Sequence, residues 1–191
     1  MVHKNYYETP HDPSHPVVFV VNHISYVDIP LWVIAFSKQH IRVLGKAEMA
    51  KIPVFGFIYR KAAILVERSN SEGRAKSVAE LRDVLKNNIS IVIAPEGTFN
   101  LSDMPLKNFY DGAFKIAIES QTPIKPVIFL DTHDRLNYKS VFSLSPGLSR
   151  AVYLKEVSVT GLTLDDVARL KKEVYDNMEE ALYRYKPSWV K

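Results

Sequence analysis

The sequence predicts an α/β fold: a single domain with a mixed, mostly parallel sheet flanked by helices. Three observations carry this. Short runs rich in β-branched residues recur along the chain, and helical patterns fall between them. Among 191 residues, 47% are hydrophobic and 24% charged, enough apolar material for one sizeable core.

Residues 1–16 are polar, with Pro10, Pro13 and Pro16, and read as an extended lead-in to a domain spanning 17–191. Strands are expected at 17–21, 41–45, 62–66, 89–94, 124–130 and 151–157, where length and β-branching favour strand over helix fragment. The stretch SEGRAKSVAELRDVLKNN places Ala75, Val78, Leu81 and Leu85 on one helical face. A last helix, about 163–185, opens with Thr163 and Asp166 as a capping box. It carries Leu164, Val167, Leu170, Val174, Met178 and Leu182 as a stripe. Both stripes read as core faces. The sequence shows no internal repeat, low-complexity tract or domain boundary.

Composition narrows the chemistry. Without cysteine there is no disulfide framework, thiolate metal site or cysteine nucleophile. No run approaches the roughly 18 apolar residues that cross a bilayer. The N-terminal stretch has no apolar core of the secretory kind, so a cytoplasmic location is expected, and the N-x-S sequons at Asn88 and Asn100 read as chance. A net charge of +4 suits an anionic membrane surface or a phosphorylated substrate. No arginine-rich run or RNP-type aromatic motif points to nucleic acid. His11 and His15, and the DTHD stretch at 131–134, are short polar segments without a complete ligand set, so no metal is expected.

The segment VVFVVNHISYVDIP, residues 17–30, poses the functional question, because a buried-type strand ends on Asn22 and His23 with Asp28 just downstream. On one continuous helix, five residues turn through about 500° and leave the two side chains roughly 140° apart. They meet only if the histidine sits in a turn after the strand and the aspartate in the first turn of a helix. DIPLWVIAFSK starts such a helical pattern, with proline near its beginning. The spacing therefore asks for a strand-turn-helix corner at the C-terminal end of a strand, where open α/β sheets place ligands. An aspartate against one imidazole nitrogen would fix the tautomer and leave the other free to take a proton from a hydroxyl. A structural histidine bonded to a helix-start aspartate fits the spacing equally well.

Further motifs follow in order: LGKAEMAKIPVFGF, AAILVERSN, IVIAPEGTFN, FYDGAFKIA and TPIKPVIF. Together, from about Val17 to Leu130, they resemble the glycerolipid acyltransferase family, whose best-known members are the lysophosphatidate acyltransferases. The resemblance implies that His23 is the general base and Asp28 its orienting partner. It also implies direct attack on the thioester of acyl-CoA or acyl carrier protein, with no acyl-enzyme and no cofactor. A chain with neither cysteine nor a G-x-S-x-G elbow agrees with that. By the same resemblance Arg68, Glu96, Gly97 and Thr98 would line the site of a lysophospholipid acceptor.

The sequence also departs from the family pattern. Ala62 stands where the second motif usually has glycine, and Phe99 where the third usually has arginine (E-G-T-R). Lys125 lies at a normally apolar position of the fourth. Either Lys125 or Lys107 supplies the missing positive charge, or the acceptor carries no phosphomonoester and Phe99 packs against acyl chain or glycerol. The segment IPVFGFIYRK mixes aromatic and basic residues and suits a lipid interface or a core position. Family members commonly carry N-terminal apolar helices that this sequence does not show, which fits a peripheral enzyme on the cytoplasmic membrane face or a sequence that starts late. Two rival readings are a thioester hydrolase, in which the same pair activates water, and a non-catalytic acyl-thioester or lipid-binding module.

Overall fold

The apolar run after Pro16 forms β2 (Val18–Val21), which is buried on both faces at the centre of the sheet. In this computed structural model, residues 2–46, 63–66, 71–137 and 142–190 are described. The other strands are β1 (Val2–Tyr7), β3 (Ile41–Lys46), β4 (Ala63–Val66), β5 (Ser90–Ile93), β6 (Ile124–Phe129) and β7 (Leu148–Tyr153). They form a seven-stranded sheet in the order β1-β7-β6-β2-β5-β3-β4. Every pairing is parallel except that of β6 with β7. The expected mixed, mostly parallel sheet flanked by helices is the fold observed.

The helices are α1 (Asp28–Ala35), α2 (Ser71–Lys86), α3 (Gly112–Glu119), the short α4 (Thr132–Arg135) and α5 (Val167–Tyr185). Side chains alternate across a strand, so β2 feeds two cores. Val18 and Val20 join Leu81 and Leu85 of α2, Phe114 and Ile118 of α3, and Leu170, Val174 and Met178 of α5. Val17, Phe19 and Val21 join Leu31, Trp32, Ala35 and Phe36 on the α1 side. A parallel strand covered on both sides must read as a continuous apolar run, and β2 does.

The expected lead-in at 1–16 needs correction, because its first part belongs to the sheet. β1 runs in parallel register with β7, from Val2 opposite Leu148 to Tyr7 opposite Tyr153. Polar residues hide this strand because an edge need not be apolar. His3 Nδ1 lies 3.3 Å from Ser149 Oγ, and Asn5 Nδ2 donates to the Ala35 carbonyl at 2.8 Å. The strand expected at 151–157 is also shifted, since β7 ends at Tyr153 and only Val157 bridges back to Ile124.

The capping box of Thr163 and Asp166 is present, and a single 3-10 turn (Leu164–Asp166) leads into α5. From Val167 the apolar stripe is buried, whereas Leu164 is exposed ahead of it. Arg68, Ala62 and the segment 52–61 lie outside the described residues.

Because β2, β5 and β6 are parallel, the segments that follow them emerge at one end of the sheet. His23, Glu96 and the 131–137 segment therefore share that end.

Candidate active site

The peptide group after β2 has no strand to continue, and Asn22 supplies a side-chain substitute. Its Nδ2 donates to the Phe129 carbonyl at 3.1 Å and its Oδ1 accepts from the Phe129 N–H at 2.7 Å. This pair extends the β2–β6 ladder by one rung and then releases the chain. Residues 22–27 form the turn, and α1 begins at Asp28 with Pro30 in its first turn, where a missing N–H costs nothing.

Asp28 is fully buried, and its Oδ2 is the hub of the corner. It accepts from the Ile24 N–H at 2.7 Å, the Ser25 N–H at 2.8 Å and His23 Nδ1 at 2.8 Å. A carboxylate oxygen can only accept, so Nδ1 of His23 carries a proton, and in the neutral imidazole Nε2 presents the lone pair. The His23 side chain is 18% exposed, which leaves it reachable at the rim of the sheet.

A second buried carboxylate holds the same turn from behind. Glu96 is 1% exposed; its Oε1 accepts from the His23 N–H at 2.9 Å and its Oε2 from the Lys107 N–H at 3.0 Å. It thus ties the β2 turn to the loop after β5. Asn100 adds a second tie, its N–H donating to the His23 carbonyl at 2.7 Å while its side chain organises 102–104. Both main-chain groups of His23 are therefore fixed by the loop that carries the PEGTFN stretch. Gly97 turns that loop at φ 71°, a left-handed conformation natural to glycine, and Thr98 beside it is exposed.

Burial pushes the Glu96 carboxyl up to about 7 from 4.5; the two N–H bonds oppose the shift and the charge on Asp28 adds to it. Between those values the native state binds more protons than the unfolded chain. Stability should therefore fall as pH rises across that window, by about 3 kcal/mol for this group. Glu96→Gln, neutral throughout, should flatten that slope. At about pH 5 it should be about 1–3 kcal/mol less stable than wild type, because an amide NH2 would oppose a backbone N–H, and that deficit should disappear by about pH 7.5 as the wild type loses its own contribution. Urea unfolding of both proteins at about pH 5 and about pH 7.5 checks this.

Aromatic rings enclose the imidazole. Trp32 lies 5.3 Å from it between centroids, and Phe99 lies 4.4 Å away, edge-on at 64°. Tyr26, half exposed, stands 4.8 Å from Phe99.

His23, Asp28, Glu96, Gly97 and Thr98 are thus brought together. Glu96 requires a changed role, because both its oxygens are occupied by backbone N–H groups in a buried position. It braces His23 instead of lining an acceptor surface. Lys125 is not brought to the site. It is the second residue of β6, level with Phe19 of β2, about 13 Å along the strand from His23. Its side chain is buried beneath the N-terminal segment, and its Nζ donates to Thr9 Oγ1 at 3.2 Å. Position in a strand, which decides end as well as face, overrides nearness of motifs in the sequence. Lys107 lines a separate cleft of about 410 Å³ with Glu96, Tyr110 and Tyr175, to which neither His23 nor Phe99 contributes.

Asn22, Tyr26, Trp32 and Asn100 were not expected at the site. For Asn22 a signal existed, since an amide closing a five-residue apolar run asks for a partner. Asn100 had none, because its role is carried by a backbone bond.

An α/β sheet bearing a His-Asp pair at the carboxyl end of a central strand is an arrangement that can hold an imidazole ready to take a proton from a hydroxyl or from water. Comparison with known proteins is more specific: the model of the Acyltransferase family matches residues 2–130. The chain belongs to this family. It is 28% identical over 174 residues to the mouse 1-acyl-sn-glycerol-3-phosphate acyltransferase alpha, covering 87% of this chain and 58% of the mouse protein. It is 30% identical over 168 residues to a 1-acyl-sn-glycerol-3-phosphate acyltransferase of Haemophilus influenzae, covering 86% of this chain and 68% of that protein. The chain spans little more than half the length of several curated relatives it matches. In fold it is similar to the crystal structure of the 1-acyl-sn-glycerophosphate acyltransferase PlsC from Thermotoga maritima. The TM-score is 0.75 at 22% identity, covering 98% of this chain and 74% of the other. Among the described residues, no helix is long and apolar enough to cross a membrane.

Proposed function

We propose that this chain transfers a fatty acyl group from acyl-CoA or acyl carrier protein to the hydroxyl of a lysophospholipid, such as 1-acylglycerol-3-phosphate, or of a related lipid alcohol. The observation that carries the reading is the 2.8 Å contact of His23 Nδ1 with Asp28 Oδ2. It prepares Nε2 to accept a proton. Nε2 takes the proton of the acceptor hydroxyl as the oxygen forms a bond to the thioester carbonyl carbon. The tetrahedral adduct then collapses, the C–S bond breaks, and the imidazolium returns the proton to the departing thiolate. Asp28 stabilises the imidazolium between these steps.

Relatives with the same activity in their names support the substrate class. Gly97 and Thr98, and by family resemblance Arg68, are the proposed acceptor contacts. Both substrates are amphiphiles, so we place the reaction at the cytoplasmic membrane face, with the chain bound peripherally.

The test is thiol release from palmitoyl-CoA, followed with a thiol-reactive dye, with and without lysolipid. The chain has no cysteine and contributes no background. Release that requires the lysolipid and yields the diacyl product is expected. Release at the same rate without acceptor would make the chain a thioester hydrolase. Binding of palmitoyl-CoA with no turnover on any acceptor or with an acyl carrier protein donor would make it a binding module.

A further inference from the structure

We propose that residues 9–16 form an acid-released strap across the amino-terminal end of the central strands, latched by neutral His11 and unlatched when His11 Nδ1 takes a proton. The strap lies at the end of the sheet opposite His23, so it stands apart from the acyltransferase reading.

Pro10, Pro13 and Pro16 deprive this segment of three N–H groups. Among the described residues, 9–16 make no backbone–backbone hydrogen bond to any other part of the chain. A short set of side-chain contacts fastens them instead. Lys125 Nζ donates to Thr9 Oγ1 at 3.2 Å, Asn88 Nδ2 donates to the Ser14 carbonyl at 3.2 Å, and His15 Nε2 lies 3.4 Å from Glu156 Oε2. The central contact joins His11 Nε2 to Gln39 Oε1 at 2.9 Å. A segment fastened this way opens locally, ahead of the sheet beneath it.

Gln39 decides which nitrogen of His11 carries the proton. Its Nε2 donates to the His15 carbonyl at 3.0 Å and to Ser90 Oγ at 2.6 Å. Its Oε1 can only accept, so His11 Nε2 is the donor. In the neutral ring Nδ1 then holds the lone pair, and that nitrogen is buried with no hydrogen-bond partner among the described residues. A proton on it would bring a charge and a new donor into a buried place without an acceptor.

The ring packs between Phe19 of β2 and Tyr153 of β7, at 5.6 and 5.4 Å between centroids. Burial lowers its affinity for a proton, and Lys125 and His15 lower it further, while the Gln39 bond and the Glu156 carboxylate oppose them. Tyr7 and Lys38 line the same cleft of about 450 Å³. Gln39 also carries the latch into the sheet. The Ser90 Oγ it binds accepts the Val17 N–H at 3.0 Å, where the strap enters β2.

Once released, His11 regains the ordinary affinity of a histidine, near 6.5. The released strap then binds more protons than the latched one, so the latch weakens as pH falls below about 6.5. His15 works in the other direction, because its protonated ring is drawn to Asp12 and Glu156, at 3.7 and 3.4 Å.

The test is cleavage of the full chain after Glu8, at the head of the strap, by a glutamate-specific protease at about pH 7.5 and about pH 5. Each rate is divided by that of a synthetic peptide spanning residues 5–18, which removes the protease's own pH dependence and leaves the open fraction. In wild type this ratio should rise by roughly tenfold in acid. In His11→Gln, whose amide donates to Gln39 at similar reach and never titrates, it should stay within about twofold. His15→Gln should keep the rise.

A wild-type ratio that does not rise in acid overturns the proposal, as does an equal rise in His11→Gln or the loss of the rise in His15→Gln. A rise matched by cleavage after Glu179, within α5, is global unfolding and overturns it too. The ring nitrogens of His11 give a measurement independent of cleavage. Their NMR shifts should show the Nε2–H form at about pH 7.5, and an Nδ1–H form there removes the latch.

Discussion

Replacing His23 by alanine lowers kcat by about 100- to 10,000-fold and leaves the fold intact. The two parts of this expectation come from different atoms. The imidazole Nε2 is the only group at the corner proposed to move a proton, so its removal leaves the acceptor hydroxyl to ionise unaided. The structural ties of residue 23 run through its main chain, with the N–H bound to Glu96 and the carbonyl accepting from Asn100. Alanine keeps both. Asp28 retains the N–H groups of Ile24 and Ser25 as partners, so no buried carboxylate is stranded. Steady-state acylation and thermal unfolding, measured on the same preparation, separate the effects. Near wild-type turnover would remove His23 from the mechanism. A large fall in melting temperature with the loss of activity would reduce the histidine to a structural part of the turn.

Much of this corner was legible in the sequence because it is local. Five residues separate His23 from Asp28, and only a strand-turn-helix path brings them together. The apolar run of β2 and the pattern of α1 fix that path without any long-range contact. The family motifs extended the reading to the loop after β5. What the sequence could not reveal was which end and which neighbour each residue would meet. Lys125 sits in a motif of the resembled family, yet its place near the start of β6 puts it at the far end of the sheet from His23. Glu96 lies in the right loop, but its buried carboxylate is filled by two backbone donors, one of them 73 residues away along the chain. Backbone bonds leave no trace in residue identity. β1 escaped for a related reason, since an edge strand whose inward side chains are His3 and Asn5 carries no apolar signal. The departure at Phe99 was visible from the start. Its contact with His23 is supplied only by the folded chain.

Asp28 should separate orientation from architecture in a way His23 cannot. In Asp28→Ala, the N–H groups of Ile24 and Ser25 lose their acceptor in a buried position, at about 1–3 kcal/mol each, and the first turn of α1 loses its favourable negative charge. That variant should be both unstable and inactive, and its inactivity alone would say little. Asp28→Asn is the informative change. The two N–H groups, at 2.7 and 2.8 Å, would hold the amide's carbonyl oxygen where Oδ2 now sits, because the NH2 group cannot accept from them. The Nδ1–H of His23 would then still find an acceptor, the tautomer would stay as it is, and the turn would keep its shape. What disappears is the charge that stabilises the imidazolium once Nε2 has taken the proton. Turnover should fall by roughly 100-fold with little change in KM for either substrate, in a protein that unfolds within about 1–3 kcal/mol of wild type. If Asp28→Asn turns over like wild type, the carboxylate only builds the corner and its charge has no part in the chemistry. If it loses as much stability as Asp28→Ala, the amide has turned its NH2 toward the backbone donors and the hydrogen-bond argument is wrong.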